Sequence, residues 1–220
     1  MSKPHLQIII GSTRPGRRGS AVGSWFYDLA VRHDRFGVEL IDLAEVNLPL
    51  LDEPLQPGRG PYSQEHTRRW SRTISLGQAY VFVVPEYNHS YNAATKNALD
   101  FLAEEWRNKP VGFVGYGGIA AGARAVQALT PVVVALGMIP ITRAVHIPLI
   151  NRAMSAGGQF KSEDRLDASA TTMLDDLFHR AAANRHYQPQ ADRHEEKGIH
   201  DSVVIDPIVG HRGRGAEQGA

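Results

Sequence analysis

The 220-residue sequence predicts a three-layer α/β sandwich, with a five-stranded parallel sheet between two layers of helices. Short apolar runs alternate with stretches of helical periodicity from the first residues to about position 184. The run Tyr-Val-Phe-Val-Val at 80–84 is aromatic, β-branched and apolar on both faces, as a strand covered on both sides requires. Glycine-rich turns follow the first and fourth apolar runs, at the strand ends where a doubly wound sheet opens its ligand crevice.

The elements follow in order. Residues 5–10 are a short apolar run stopped by Gly11 and read as the first strand. Over 20–31, Ala21, Val22, Trp25, Phe26, Leu29 and Ala30 recur at helical spacing. Residues 38–42 read as the second strand, and the Pro/Gly-rich stretch 48–61 as a loop. A polar helix with periodic Trp70, Ile74 and Leu76 is expected over 63–78, and the third strand over 80–84. A helix over 93–102 has Asn92 as its expected N-cap. The fourth strand is 110–116, ending in glycines. Residues 122–136 read as a helix against the opposition of Pro131 and the valines at 132–134. A fifth strand over 139–145 and a closing helix over 164–184 complete the pattern. Right-handed crossovers between five such strands favour the order 2-1-3-4-5, the flavodoxin-like arrangement. The domain is expected to occupy 1–186. From Tyr187 the chain turns polar, and 187–220 is expected to be mobile or to dock on a neighbouring subunit through its apolar island at 202–209.

Composition narrows the function. The formal net charge of +1 offers no electrostatic reason for nucleic acid or a membrane as partner. With no cysteine there are no disulfides, thiolate metal sites or cysteine nucleophiles, and a reducing, cytoplasmic compartment is expected. The opening apolar run is too short for a signal-peptide core. His194, Glu195, Glu196 and His200 have no specific metal-site spacing and read as part of a solvated tail. His5 and His146 read as packing residues, and Arg68, Arg69 and Arg72 as a solvated helix face.

Three strand-end loops carry the chemistry. The first, Gly11-Ser-Thr-Arg-Pro-Gly-Arg-Arg-Gly-Ser20, opens a helix and suits a phosphate. Gly11 and Gly19 allow tight turns; Ser12, Thr13 and Ser20 supply hydroxyls; Arg14 and Arg18 supply charge. Gly11 and Gly16 have P-loop spacing, but Arg17 and Arg18 stand where the phosphate lysine and the magnesium-binding hydroxyl belong, so a nucleotide triphosphatase is not expected. The second loop, Pro85-Glu86-Tyr87-Asn88-His-Ser-Tyr-Asn92, offers aromatic faces and amides to a flat ring. In the third, Gly115, Gly117 and Ala120 match the letters of the dinucleotide fingerprint. They follow the fourth strand, and no acidic residue lies near twenty positions on, so Tyr116, Gly117 and Gly118 read instead as backbone support for a ring.

GSTRPGRRGS, PEYNHSYNAATKNALDFL and EEWRNKPVGFVGYGGIAAGARA, in this order over about residues 6–145, resemble the NADPH-dependent FMN reductase family of flavodoxin-like quinone, azo and chromate reductases. The resemblance implies FMN as cofactor, with NADPH or NADH as hydride donor and a small molecule as acceptor. It implies that Ser12, Arg14 and Ser20 hold the FMN phosphate. Pro85, Glu86, Tyr87 and Asn88 would line the ribityl chain and ring, and Tyr116, Gly117 and Gly118 would support its pyrimidine end. A homodimer or homotetramer is also implied, with Trp106 and the 92–102 helix as expected contacts. Pro15, Arg17, Arg18, His89 and Tyr91 depart from the family pattern. A flavodoxin-type electron carrier and a flavin-binding sensor are the alternatives; basic to neutral loops favour two-electron chemistry over the carrier.

Overall fold

The computed structural model describes residues 3–184. The expectations for the tail, including its histidines and apolar island, lie outside these residues. Strands β1 (His5–Ile10), β2 (Gly37–Asp42), β3 (Ala79–Pro85) and β4 (Pro110–Tyr116) pair in parallel in the order β2-β1-β3-β4, and β5 (Ile139–Pro140) completes the predicted 2-1-3-4-5. β3 and β4 are buried along their whole length, whereas the edge strand β2 is mostly half-buried. That difference explains the unbroken apolar run of β3 and the mixed Gly-Val-Glu-Leu-Ile-Asp of β2.

The fifth strand is not one strand. Pro110 and Val111 of β4 face Ile139 and Pro140, and the next pairing is Val114 with Val145, at the start of β6 (Val145–Ile147). Two residues of β4 are thus opposed by four of the partner, 141–144. Ile139 and Ile141 donate to Lys109 and Val111, with the Pro140 nitrogen turned away from β4, and beyond Ile141 the surplus residues loop out. β6 therefore returns to β4 two residues out of the original register.

Helices α1 (Gly19–His33) and α6 (Asp164–Asn184) cover one face of the sheet; α3 (Glu65–Ser75), α4 (Ala93–Asp100) and α5 (Ala123–Ala135) cover the other, with the single turn α2 (Leu43–Val46) at the end of β2. On the first face Val22, Phe26, Leu29 and Ala30 of α1 meet Leu166, Ala170, Met173, Leu174 and Leu177 of α6 over alternate residues of β1, β3 and β4. On the second face Trp70, Tyr80 and Phe82 surround Trp106 with tilted and edge-on rings. Trp106 is completely buried, and its indole N–H donates to the Leu99 carbonyl at 3.2 Å. It is a core residue and cannot be the subunit contact the resemblance implied. Helix α5 continues through Pro131. Arg68 and Arg72 pair with Glu65 on the exposed side of α3 as expected.

Candidate functional site

The carboxyl ends of β1, β3, β4 and β6 lie together, and backbone hydrogen bonds bind the loops that leave them. The Gly11 N–H donates to the Val83 carbonyl at 2.9 Å, and the Glu86 N–H to the Tyr116 carbonyl at 2.9 Å. Side chains add to these ties. Asn92 Nδ2 donates to the Gly11 carbonyl at 2.6 Å, while its Oδ1 accepts from Thr95 Oγ1 at 2.9 Å. Asn92 occupies the N-cap position of α4, yet its side chain makes no capping bond. It spans to the first loop instead, which corrects the expectation of a simple cap.

The first loop divides into a buried base and an exposed rim. Gly11, Ser12 and Gly19 are buried; Thr13, Arg14 and Ser20 are exposed. Ser12 Oγ accepts from the Tyr116 hydroxyl at 3.0 Å, which leaves the Ser12 O–H free to donate. Burial pushes the Tyr116 phenol well above its usual range, against the Ser12 hydrogen bond and the nearby Arg17 and Arg14 charges, so Tyr116 stays neutral and donates. A Cβ on Gly19 would stand 2.2 Å from Ser12 Oγ, so only glycine lets α1 begin this close to β1. The Arg18 position before α1 supplies no side-chain cap, and the first turn holds no acidic residue. The amides and positive dipole end of a fifteen-residue helix are thus left for an anion.

The arginines of this loop have separate partners. Arg17 reaches Asp42 Oδ2 at 2.5 Å and anchors the loop to the end of β2. Arg18 Nε donates to Asn151 Oδ1 at 3.3 Å. Glu86, its side chain almost buried, pairs with Arg124 of α5 at 2.9 Å and also accepts from the Arg124 N–H. That pair joins the β3 loop to the β4 loop.

Beyond Glu86, Tyr87 and Ser90 exchange backbone hydrogen bonds across a two-residue turn, with Asn88 at φ 49° and His89 at φ 68°. Tyr87 is 37% exposed at the base of this turn, and Asn88 and His89 are exposed at its apex. Pro85 is buried at the strand end. On the β4 loop, Tyr116 is buried beneath the first loop, Gly117 is half-buried and Gly118 is exposed, with nothing within 4 Å of its Cβ position. Gly122, at φ 79°, packs so tightly that a Cβ would stand 2.3 Å from the Tyr116 nitrogen.

A fourth loop, after β6, completes the crevice. The Gly117 N–H donates to the Ile147 carbonyl, Leu149 N–H to the Gly118 carbonyl at 2.9 Å, and Ile150 N–H to the Gly117 carbonyl at 3.0 Å. A cavity of about 350 Å³ lies between Gly117, Gly118 and residues 149–152. A second, of about 340 Å³, lies beside Thr13 between α2 and α4. Among the described residues no group of acidic and histidine side chains could hold a metal, and no helix is long and apolar enough to cross a membrane.

Residues 4–151 match the family model for NADPH-dependent FMN reductase. The chain belongs to the NADPH-dependent FMN reductase family. An NAD(P)H-dependent FMN reductase of Nectria sp is 40% identical over 118 residues, 51% of this chain and 59% of that protein. One of Schizosaccharomyces pombe is 40% identical over 126 residues, 56% of this chain and 63% of that protein. The chain thus spans about three fifths of the length of these curated relatives. FerB, a flavoenzyme NAD(P)H:(acceptor) oxidoreductase from Paracoccus denitrificans, has the same fold, with a TM-score of 0.65 at 20% identity over 82% of this chain and 98% of that one.

Within this family member, the predicted residues of all three loops meet at one end of the sheet. They do not act alike: Gly11, Ser12, Gly19, Pro85 and Tyr116 form the buried base, and Thr13, Arg14, Ser20, Tyr87, Asn88 and Gly118 form the accessible rim. Asn92 was read from sequence as a ring-facing amide of the second loop, whereas it ties that loop to the first. Thr95 and Arg124 lie within the quoted motifs but were given no role; the fourth loop at 148–152 has no glycine signature and depends on the register shift of β6.

Proposed function

We propose that the domain, placed at 1–186, holds one FMN across these loops and serves as an NAD(P)H-dependent reductase. NADPH or NADH is the donor, and the acceptor is a small molecule such as a quinone, a flavin or an azo compound. The observation that carries the reading is the uncapped start of α1 beside Arg14, an anion seat that shares its base with an open edge formed by Tyr87 and Gly118. The residues present fit an anionic planar group. The α1 amides, the Ser12 and Ser20 hydroxyls and Arg14 hold the phosphate; Gly11, Thr13 and Gly19 shape the turn around it, with Arg18 at its flank. Pro85, Glu86, Tyr87 and Asn88 lie along the chain and ring, and Gly117 and Gly118 admit the pyrimidine end, with Tyr116 bracing Ser12 from below.

FMN supplies the hydride chemistry when bound. The protein binds, orients and tunes it. Asn92 and the Glu86–Arg124 pair keep the loops at fixed separation. The surplus of arginine over carboxylate favours a cofactor that gains negative charge on accepting hydride, and disfavours one-electron cycling. The protein is proposed to be cytoplasmic and to form a homodimer or homotetramer; Leu50, Leu51 and Leu55, exposed on the loop beside α4, are the contact surface offered in place of Trp106.

The test is the absorption spectrum of the purified chain with FMN, followed by NADPH and NADH oxidation with a quinone, an azo dye or free FMN. Bound flavin with many turnovers is expected. Flavin bound without turnover would make the protein a carrier or sensor, and no retained flavin would defeat the reading.

A further inference from the structure

The cavity of about 350 Å³ between the β4 and β6 loops is walled mainly by Gly117, Gly118, Leu149 and Ile150. The N–H groups that could serve a polar ligand here are spent within the turn. Gly117 N–H donates to the Ile147 carbonyl at 3.2 Å, Leu149 and Ile150 N–H to the Gly118 and Gly117 carbonyls, and Arg152 N–H to the Leu149 carbonyl at 2.7 Å. The polar side chains of the lining do not change this: Asn151 Oδ1 accepts from Arg18 Nε, and Arg152 is exposed to solvent. An anion placed in this cavity would lose water and gain no donors in return.

Leu149 is held in an uncommon way. Its backbone is left-handed, at φ 47° and ψ 45°, a conformation that glycine and asparagine accept and leucine resists. Such strain persists only where the surroundings impose it. The bonds from Leu149 and Ile150 to the β4 loop impose it here, and the leucine side chain stays 37% exposed on the cavity wall. Ile119, directly after Gly118, is 91% exposed. Large aliphatic side chains kept accessible on two loops that flank one donor-poor cavity mark a place for an apolar ligand.

We propose that this cavity is a hydrocarbon subsite for the electron acceptor, and that the acceptor is an uncharged quinone with an alkyl substituent. The inference rests on the proposed reductase reading and narrows its acceptor. The cavity is at the small end of ligand pockets, so it takes a substituent, and it adjoins Gly118, where that reading places the open edge for the reacting ring. Charge separates the other candidates. Free FMN carries a phosphate, which gains nothing from a wall whose donors are spent. An azo compound without a hydrocarbon chain leaves the cavity unfilled.

A homologous series of alkyl naphthoquinones (ethyl, butyl, hexyl) tests this without turnover, because the ring chemistry is constant and no NAD(P)H is present. Dissociation constants are measured by calorimetry on the FMN-supplemented full chain. In the wild type each added methylene is expected to tighten binding about threefold to fourfold. Leu149→Asn and Leu149→Gly both accept the left-handed backbone and remove the aliphatic side chain. Each is expected to cut the gain to less than about twofold per methylene. In steady state with NADPH, kcat/KM for the quinones follows the same dependence on chain length. An unaltered flavin spectrum shows that the fold and FMN site are intact. No dependence on chain length in the wild type, no quinone binding at all, or the same dependence in both Leu149 variants overturns the subsite. So does loss of FMN by these variants, which would put the flavin itself in the cavity, or a change in their sedimentation, which would assign the patch to a second copy. Failure of the wider reading looks different: chain-length-dependent quinone binding that needs Leu149, with no flavin retained and no turnover.

Discussion

Asn92 joins two loops with one buried side chain. Its amide N–H₂ satisfies the Gly11 carbonyl and its oxygen receives the Thr95 hydroxyl. Replacing it with alanine leaves a buried carbonyl and hydroxyl without partners, at a cost of about 1–3 kcal/mol. Asn92→Ala is therefore expected to lower the urea midpoint by that equivalent and to weaken FMN, because the first loop loses its tie to α4. Thr95→Val, which keeps the Asn92–Gly11 bond, is expected to affect stability more than FMN affinity. Urea unfolding and flavin titration separate the two effects. Position 92 was legible as the residue before a helix, but not as an interloop clamp, since local propensity says nothing of a partner 81 positions away. Trp106 was misjudged for a related reason: an aromatic between polar neighbours looks accessible until the short 3-10 turn Glu104–Trp106 folds it under Tyr80 and Phe82.

At the scale of elements, the loop after β3 is a tight hairpin whose central residues are both left-handed. Asn88 and His89 have the positive φ values of a type I′ turn, which Asn-Gly satisfies most readily. Asparagine tolerates that conformation; histidine carries steric strain from its Cβ. His89→Gly is expected to raise stability by about 0.5–1 kcal/mol, the relief of strain less the entropy that glycine loses on folding, with FMN still bound. A thermal scan with the flavin spectrum recorded alongside checks both. The strands and helices around this hairpin were readable from periodicity, and even α5 kept its predicted course through Pro131. The division of the last strand was not. It follows from a register shift against β4, which no local pattern encodes, and that shift delivers the fourth loop to the crevice.

The sheet separates the crevice of strand-end loops from a half-buried ammonium at its opposite end. Strand order, and hence the pole where the strand-end loops converge, was readable because the rule of right-handed crossovers restricts the topology and glycines follow the first and fourth strands. At the other pole Lys109 precedes β4. Its Nζ donates to the Tyr80 hydroxyl at 2.9 Å and to the Ile74 carbonyl at 3.3 Å. Burial lowers its pKa to about 8, with Glu105 opposing the fall. Below pH 8 the folded protein carries the full cost of a partly desolvated ammonium. Between about 8 and 10 the folded state has released this proton while the unfolded state still holds it, so the unfolded chain binds more protons and stability rises with pH. Above about pH 10 the trend reverses, because burial raises the phenols of Tyr62, Tyr80 and Tyr116 and only the unfolded chain ionises them there. The urea midpoint is thus expected to climb from pH 8 and then fall, and Lys109→Met is expected to remove the climb while leaving the fall and the FMN affinity unchanged. A variant that kept the rise would assign it to another group; one that lost flavin would show that the two poles are coupled through β4.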